Sequence, residues 1–154
     1  MTMRPSGACA SWLPTRLSGS FVLFLALFVI ACSHDKQEAG ALLHAIEQYR
    51  SAPDELKVDR VADITAVVCT ASDVCDAKAE CLKMAEPTAK ALAIKVQAQR
   101  TLAAIQDGHE TPNDPNVKGL PDQLDEASKL LDQGHAELQP CEEKLTGLRI
   151  KYRL

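Results

Sequence analysis

Apolar residues recur every three or four positions along most of the chain, a spacing that predicts helices, and the two-residue alternation of a strand is nearly absent. The C-terminal segment shows the pattern most clearly, as one apolar row that is interrupted only at Gly134. The members of this row are Leu124, Ala127, Leu131, Leu138, Cys141, Leu145, Leu148 and Tyr152. Such a row packs one helix along another, with a local interruption expected at Pro140.

A second long helical pattern runs from Asp73 to Ile105 and is rich in alanine. Its apolar face is wide, which is typical of a helix that packs against two neighbours. Pro87 should kink or split this helix, because a proline removes a backbone donor and disfavours helical angles in the residue before it. The segment Gly108–Gly119 is rich in turn residues and predicts a loop.

The first helical pattern begins near Leu42 and continues to Val68, with a break and restart at Ser51–Asp54. Thr70 and Ser72 then mark the start of the next helix. Three helical arms joined by two tight connections predict an all-α fold, an antiparallel three-helix bundle. Alternating arms would put the turn at residues 69–75 at the far end from residue 32.

The N-terminal segment has the order of a secretory signal. Arg4 and Arg16 precede an uninterrupted apolar run, Phe21–Ala31, and no acidic residue occurs before it. Eleven residues rise only ~16 Å as a helix, against roughly 30 Å of membrane hydrocarbon. The run is therefore too short to span a membrane, and residues 1–31 are predicted to be a cleaved signal peptide.

The end of this run, Val29-Ile30-Ala31-Cys32, resembles the lipobox of bacterial lipoproteins. The resemblance implies that the Cys32 thiol receives a diacylglyceryl group, that a dedicated peptidase cuts before Cys32, and that the new amine is acylated. Several acyl chains hold a protein stably on a membrane. The alternative is an ordinary signal peptide that happens to end at a cysteine.

The resemblance also predicts the division of the chain and its location. Residues 32–38 would form a lipidated cysteine with a short tether, and residues 39–154 a single helical domain. Ser33 after the lipidated position resembles the sorting pattern of outer-membrane lipoproteins in enteric bacteria. We therefore expect the outer membrane, with the domain facing the periplasm and exposure at the cell surface as an alternative.

Four cysteines remain after residue 32, and an even number in an exported domain predicts disulfides. Cys69 and Cys75 are too far apart on an unbroken helix to bond, but a turn at Thr70–Asp73 would bring them together. The remaining pair is Cys81 with Cys141, whose midpoint falls in the loop Gly108–Gly119. Zinc is the alternative, although these spacings do not suit it.

Composition and motifs argue against several functions. The predicted leader holds two of the 17 basic residues and none of the 21 acidic ones, so its removal changes the net charge from −4 to −6. Such an acidic domain does not suit nucleic acid. No catalytic, phosphate-binding or dinucleotide motif occurs, and no CxxC. We expect no enzyme activity, no cofactor and no metal site.

The remaining titratable residues are interpreted as solvated or structural side chains. These are His34, His44, His109 and His135, with the acidic residues Asp122, Asp125, Glu126, Glu142 and Glu143. Lys151-Tyr152-Arg153 is similar to the tail of the murein lipoprotein, which is linked to peptidoglycan through a terminal lysine. Here Leu154 is last and four cysteines depart from that family, so covalent attachment to the wall is not expected.

The sequence thus predicts a non-catalytic binding or structural module, tethered to a membrane through its lipid. Its partner would be an envelope protein or the cell wall. Two alternatives stay open: a carrier that holds a small ligand or cofactor between helices near Pro87 and Pro140, and an inhibitor or immunity-type lipoprotein.

Overall fold

The computed structural model describes residues 21–111 and 113–154, with side chains from His34 onward, and every element within these ranges is helical. Residues Ser33–Leu154 form one compact unit, which is described here by itself. A 3₁₀ turn at Asp54–Leu56 precedes α2. The helices are α1 (Phe21–Ser51), α2 (Lys57–Ala66), α3 (Ser72–Gln106), α4 (Pro115–Lys118), α5 (Leu120–Ala136) and α6 (Leu138–Tyr152). The all-α prediction is confirmed.

The chain reverses direction after α1, at the break that the sequence indicates. Pro53 disfavours a helical conformation in the residue before it and has no N–H of its own to continue the helix. Lys57 stabilises the reversal, because its Nζ donates to the carbonyl oxygens of Tyr49 at 2.6 Å and Arg50 at 3.0 Å. These are carbonyls at the end of α1, which have no partner within the helix. Lys57 is consequently buried, although it is a lysine.

Contacts between the helices define the direction of each segment. Glu38 bonds to Thr70 while Tyr49 donates to the carbonyl of Ala85, so α1 runs parallel to the first half of α3. The Lys78 ammonium group donates to the carbonyl of Thr65, near the end of α2. This contact joins the last turns of α2 to the early part of α3, as expected for an antiparallel pair.

The C-terminal helix runs against α3 in the same way. Cys81 is bonded to Cys141, and Asp73 contacts Lys151. The compact unit is therefore built from four helical segments of alternating direction: α1, α2, α3, and the pair α5 and α6. The predicted three-helix bundle is not confirmed, because its first arm folds back on itself at Ser51–Pro53.

This extra reversal exchanges the two ends of the molecule relative to the sequence-based layout. The turn at residues 69–75 lies beside residues 34–38, whereas alternating arms of a three-helix bundle would put it at the opposite end. The C-terminal residues lie at this same end. The helix α3 has 35 residues and is ~52 Å long. The loop that follows it therefore lies at the end remote from residues 34–38.

Two further expectations fall on residues within helices, and of the kink or split expected at Pro87 the structure excludes the split. Residues 32–38, the predicted tether, are part of helix α1. Glu38, the last residue of this segment, is buried, and so is Ala39, which follows it. Pro87 does not split α3, which is continuous from Ser72 to Gln106. The interruption at Pro140 is confirmed, since α5 ends at Ala136 and α6 begins at Leu138. Pro140 thus lies in the first turn of α6, where its missing N–H has no helical partner to lose.

The core is thick at one end of the unit and thin at the other. Where α1, α2, α3 and α6 meet, large side chains are fully buried, among them Leu42, Ile46, Ile64 and Leu145. The second half of α3 packs on α5 through small side chains, including Ala91, Ala98 and Ala127. Small residues let the two helices approach closely, and this half of the unit buries less apolar surface.

Candidate functional site

The predicted lipidation site lies outside the residues whose side chains the structure describes. This applies to the signal peptide, residues 1–31, and to the lipobox, Val29–Cys32. Attachment of lipid to Cys32 therefore stays a prediction. Among the described residues, none of the helices is both long enough and apolar enough to cross a membrane.

Both predicted disulfides are present. Cys69 is bonded to Cys75 with a Cα–Cα distance of 5.3 Å, across the turn between α2 and α3. Cys81 is bonded to Cys141 with a Cα–Cα distance of 4.7 Å, and both residues are fully buried in the core. The second bond ties α3 to α6 and closes a loop of 60 residues. All four cysteines after residue 32 are used for structure.

Glu38 holds the turn that carries the first disulfide, a role that the sequence analysis missed. One carboxylate oxygen accepts hydrogen bonds from the backbone N–H groups of Thr70 at 2.7 Å and Ala71 at 3.1 Å. The other accepts from the Thr70 hydroxyl at 2.7 Å and lies 3.1 Å from Nδ1 of His34. These bonds, the one from the Thr70 N–H above all, lower the pKa of Glu38 even though burial opposes the charge.

We expect Glu38→Gln to destabilise the protein at neutral pH and to matter less in acid. The folded pKa of Glu38 lies below its ordinary value of 4.5, so its charged form stabilises the fold above pH 4.5. That contribution is lost as the pH falls through the folded pKa. Urea unfolding at a series of pH values should show the gap between wild type and variant closing below pH 4.5.

The exposed Glu126 on α5 provides a matched control for this substitution. Glu126→Gln should leave the protein close to wild-type stability at pH 7. A constant gap between wild type and Glu38→Gln across the acid range would contradict the account of Glu38 as a buried, charged acceptor.

A second polar cluster, at the same end of the unit, fixes the end of α6. The two oxygens of Asp73 accept from the Lys151 ammonium group at 2.8 Å and the Tyr152 hydroxyl at 3.1 Å. Burial alone would raise the pKa of Asp73, but these two bonds outweigh it and the pKa is lowered. The bond to Asp73 likewise raises the pKa of Lys151. Lys151 is thus paired within the molecule although its side chain is exposed, as are those of its neighbours Arg149 and Arg153.

The other residues singled out from the sequence do not converge on a site. No group of three or more His, Cys, Asp or Glu side chains within the described part of the chain is placed to hold a metal ion. Glu142 forms an ion pair with Arg50 of α1. His44, His109, His135, Asp122, Asp125, Glu126 and Glu143 lie apart on the exposed surface, which agrees with their interpretation as solvated side chains.

Surface grooves lie where α3 meets α5 and α6. One of about 240 Å³ is lined by Met84, Thr88, Leu131, Gly134, His135 and Leu138. An adjoining one of about 530 Å³ shares His135 and Leu138 and reaches Glu142. A third cleft, of about 300 Å³, lies on the Pro87 side of α3. It is lined mainly by charged and polar side chains: Lys83, Glu86, Lys90, Gln133 and Glu137, with Pro87 and Leu130.

Comparison of the chain with protein-family models, with characterised proteins and with solved structures finds no match.

Proposed function

We propose that this protein is a lipid-anchored lipoprotein of the bacterial cell envelope, and that it acts as a non-catalytic binding or structural module. One observation carries the proposal: the lipobox-like Val29-Ile30-Ala31-Cys32 ends an apolar run that is too short to span a membrane. The order of basic segment, short apolar run and cysteine is that of a lipoprotein signal. The outer membrane, with the domain on its periplasmic side, is the location that Ser33 favours.

The disulfides support an exported location. The Cys81–Cys141 bond is fully buried and closes 60 residues, so it has to form before or during folding. Such bonds form and persist in oxidising compartments such as the periplasm and are rare in the cytosol. In the folded unit the two bonds stabilise a helical bundle whose core is thin in one half. A durable scaffold outside the cytoplasm requires such crosslinks when its core is small.

The proposal of a binding module rests on how the polar groups are used. Glu38, Lys57 and Asp73, the buried or half-buried charged groups described above, are each engaged in holding helix ends together. A catalytic group needs instead to face a cleft together with a partner for the reaction. What remains available on the surface is the apolar groove between α3 and α5, which suits association with another molecule better than chemistry.

The carrier alternative predicted an apolar cavity near Pro87 and Pro140. The groove beside Pro140 is an open one, lined by His135, Ala136, Leu138, Gln139 and Glu142. The cleft beside Pro87 is open, and Lys83, Lys90 and Glu137 contribute to its lining. Pockets that enclose small apolar ligands are lined predominantly by hydrophobic and aromatic side chains. This cleft therefore does not favour a carrier. An inhibitor or immunity-type lipoprotein is one form of the binding module proposed here.

Fractionation of cells that express Cys32 variants tests the proposal. Cys32→Ser should abolish retention in the membrane fraction, because a serine hydroxyl does not take the thioether-linked lipid and stable anchoring needs the acyl chains. Cys9→Ser is the matched control, since residue 9 lies in the predicted leader and should not affect anchoring. Membrane retention of the Cys32→Ser protein equal to that of wild type would refute the lipid anchor.

A further inference from the structure

The helix α1 covers only part of the groove between α3 and the C-terminal helices. The last residues of α1 are Tyr49, whose hydroxyl donates to the Ala85 carbonyl at 3.2 Å, Arg50, which pairs with Glu142, and Ser51. Beyond this point α3 continues to Gln106 and packs on α5. The two surface grooves share His135 and Leu138; Leu131 lines one of them, and Glu142, the partner of Arg50 at the end of α1, lines the other.

Exposed leucines line this uncovered face. Leu124 and Leu131 are seven residues apart in α5 and lie on one side of that helix with a drift of ~20°, and Leu138 is the first residue of α6. They are 47%, 43% and 40% exposed, although the sequence predicts them to be part of a buried row. On α3, Leu102 is 18 residues after the groove residue Met84, which is five helical turns and therefore the same face. Leu102 is 50% exposed. Between Met84 and Leu102 this side of α3 also carries Lys95, whose ammonium group pairs with Asp54 of the 3₁₀ turn. The leucine row of α5 and α6 is apolar and has no covering helix among the described residues.

The segment that carries α4 and most of α5 is strongly acidic, whereas the second half of α3 carries three cations, Lys90, Lys95 and Arg100, and no acidic residue. Residues 107–132 contain seven aspartates and glutamates and only two lysines, a net charge of −5. Asp125 and Asp132 directly follow Leu124 and Leu131, so an acidic row runs beside the leucine row, and both aspartates are exposed. A second copy of this chain would bring the same acidic row to the interface, and an anionic membrane would also be repelled.

We propose that the face lined by Leu102, Leu124, Leu131 and Leu138 binds an amphipathic helix of a partner protein that carries a row of apolar side chains flanked by Lys or Arg. The chain itself provides the precedent at the start of the groove. There the helix α1 lies against α3, with Tyr49 on the Ala85 carbonyl and the Arg50 cation on Glu142. A helix in the uncovered part would make the same kind of contact, apolar residues inward and cations toward Asp125 and Asp132.

The test uses a synthetic helical peptide of about 18 residues, ~27 Å long, with leucines along one face and lysines elsewhere. The same peptide with glutamate in place of lysine is the charge control. This inference rests on the proposed binding function, so the protein is used as it is isolated from cells. It is placed in nanodiscs of zwitterionic lipid if it carries lipid, and in buffer if it does not. Absence of the anchor and absence of peptide binding are then separate outcomes.

We expect saturable binding of the lysine peptide, with NMR shift changes centred on Leu131, Gly134 and His135. The double variant Leu131→Asn/Leu138→Asn should weaken binding by at least about tenfold, as the loss of central apolar anchors does. Asp125→Asn/Asp132→Asn should weaken it several-fold and reduce its dependence on salt. Leu56→Asn/Val58→Asn, which changes exposed apolar residues at the start of α2, should leave binding unchanged.

Three results would overturn the proposal. One is the absence of saturable binding of the lysine peptide. Another is equal affinity for the lysine and glutamate peptides, which would mean that the acidic row plays no part in recognition. The last is a concentration-dependent dimer that buries Leu131 and Leu138, which would assign the face to a second copy of the chain.

Discussion

Replacement of both Cys81 and Cys141 by alanine is expected to lower the free energy of unfolding by roughly 4 kcal/mol, the chain-entropy value for a crosslink that closes about 60 residues. The two residues are 60 positions apart and fully buried. Their removal therefore also leaves unfilled space in the core between α3 and α6. The effect should be visible in urea unfolding of the oxidised protein as a much lower midpoint.

The second disulfide provides the control for this prediction. Cys69 and Cys75 are six residues apart, and a loop of that size contributes about 2 kcal/mol less than the longer one by the same chain-entropy relation. Cys69→Ala/Cys75→Ala should therefore be clearly milder than Cys81→Ala/Cys141→Ala. Equal losses in the two double variants would contradict the view that the long crosslink dominates the stability of the unit.

The substitution Gly134→Ala is expected to destabilise the protein by about 1–2 kcal/mol, the result of two opposing effects. A Cβ at residue 134 would overlap Oγ1 of Thr88 and lie 3.0 Å from the carbonyl oxygen of Met84. Overpacking of this kind costs about 1–3 kcal/mol, and the higher helix propensity of alanine offsets up to about 1 kcal/mol of it. Thermal or urea unfolding measures the net effect.

Gly147 is the matched control, because it also lies within a helix but has nothing within 4 Å of the position that a Cβ would take. Gly147→Ala should stabilise the protein by up to about 1 kcal/mol through helix propensity alone. In the Gly134→Ala background, Thr88→Ala should recover part of the loss by removing the overlapping hydroxyl. Stabilisation by Gly134→Ala would show that α3 and α5 are not in close contact there.

Gly134 also shows how the sequence pattern and the packing differ. The sequence marks this residue as the one break in the C-terminal apolar row, whereas the structure places it in close contact with Met84 and Thr88 of α3. The row itself is buried at Ala127 in α5 and at Cys141, Leu145 and Leu148 in α6, but its leucines at 124, 131 and 138 are exposed. Periodicity identifies the face of a helix, but it does not reveal whether a partner helix extends far enough to cover that face.

The disulfide pairing was predictable because it depends on local features. The turn residues between Cys69 and Cys75 allow the first pair to meet, and the second pair then follows by elimination and by its symmetry about the loop. The bounds of α3 were predicted to within one residue for the same reason, since a long alanine-rich pattern ends at strong turn signals. Such features are set by residues that are close together in sequence.

The direction of the first arm was not predictable in this way. The sequence indicates a break at Ser51–Asp54, but a break alone does not distinguish a kink from a full reversal. The reversal depends on Lys57, which donates to the Tyr49 and Arg50 carbonyls, and on Glu38, whose partners Thr70 and Ala71 lie more than 30 residues away. Neither pairing leaves a periodic signal, because each joins one polar side chain to backbone groups.

The central claim is that the chain is processed to a lipid-anchored, disulfide-bonded domain, and intact mass spectrometry of protein extracted from its own membrane tests this most directly. Alkylation without reduction should precede the measurement. We expect a chain that begins at Cys32, carries the added mass of a diacylglyceryl group and an N-linked acyl chain, and has no alkylated thiol among its four remaining cysteines. A chain that begins at another residue, or one that begins at Cys32 without lipid, would contradict the claim.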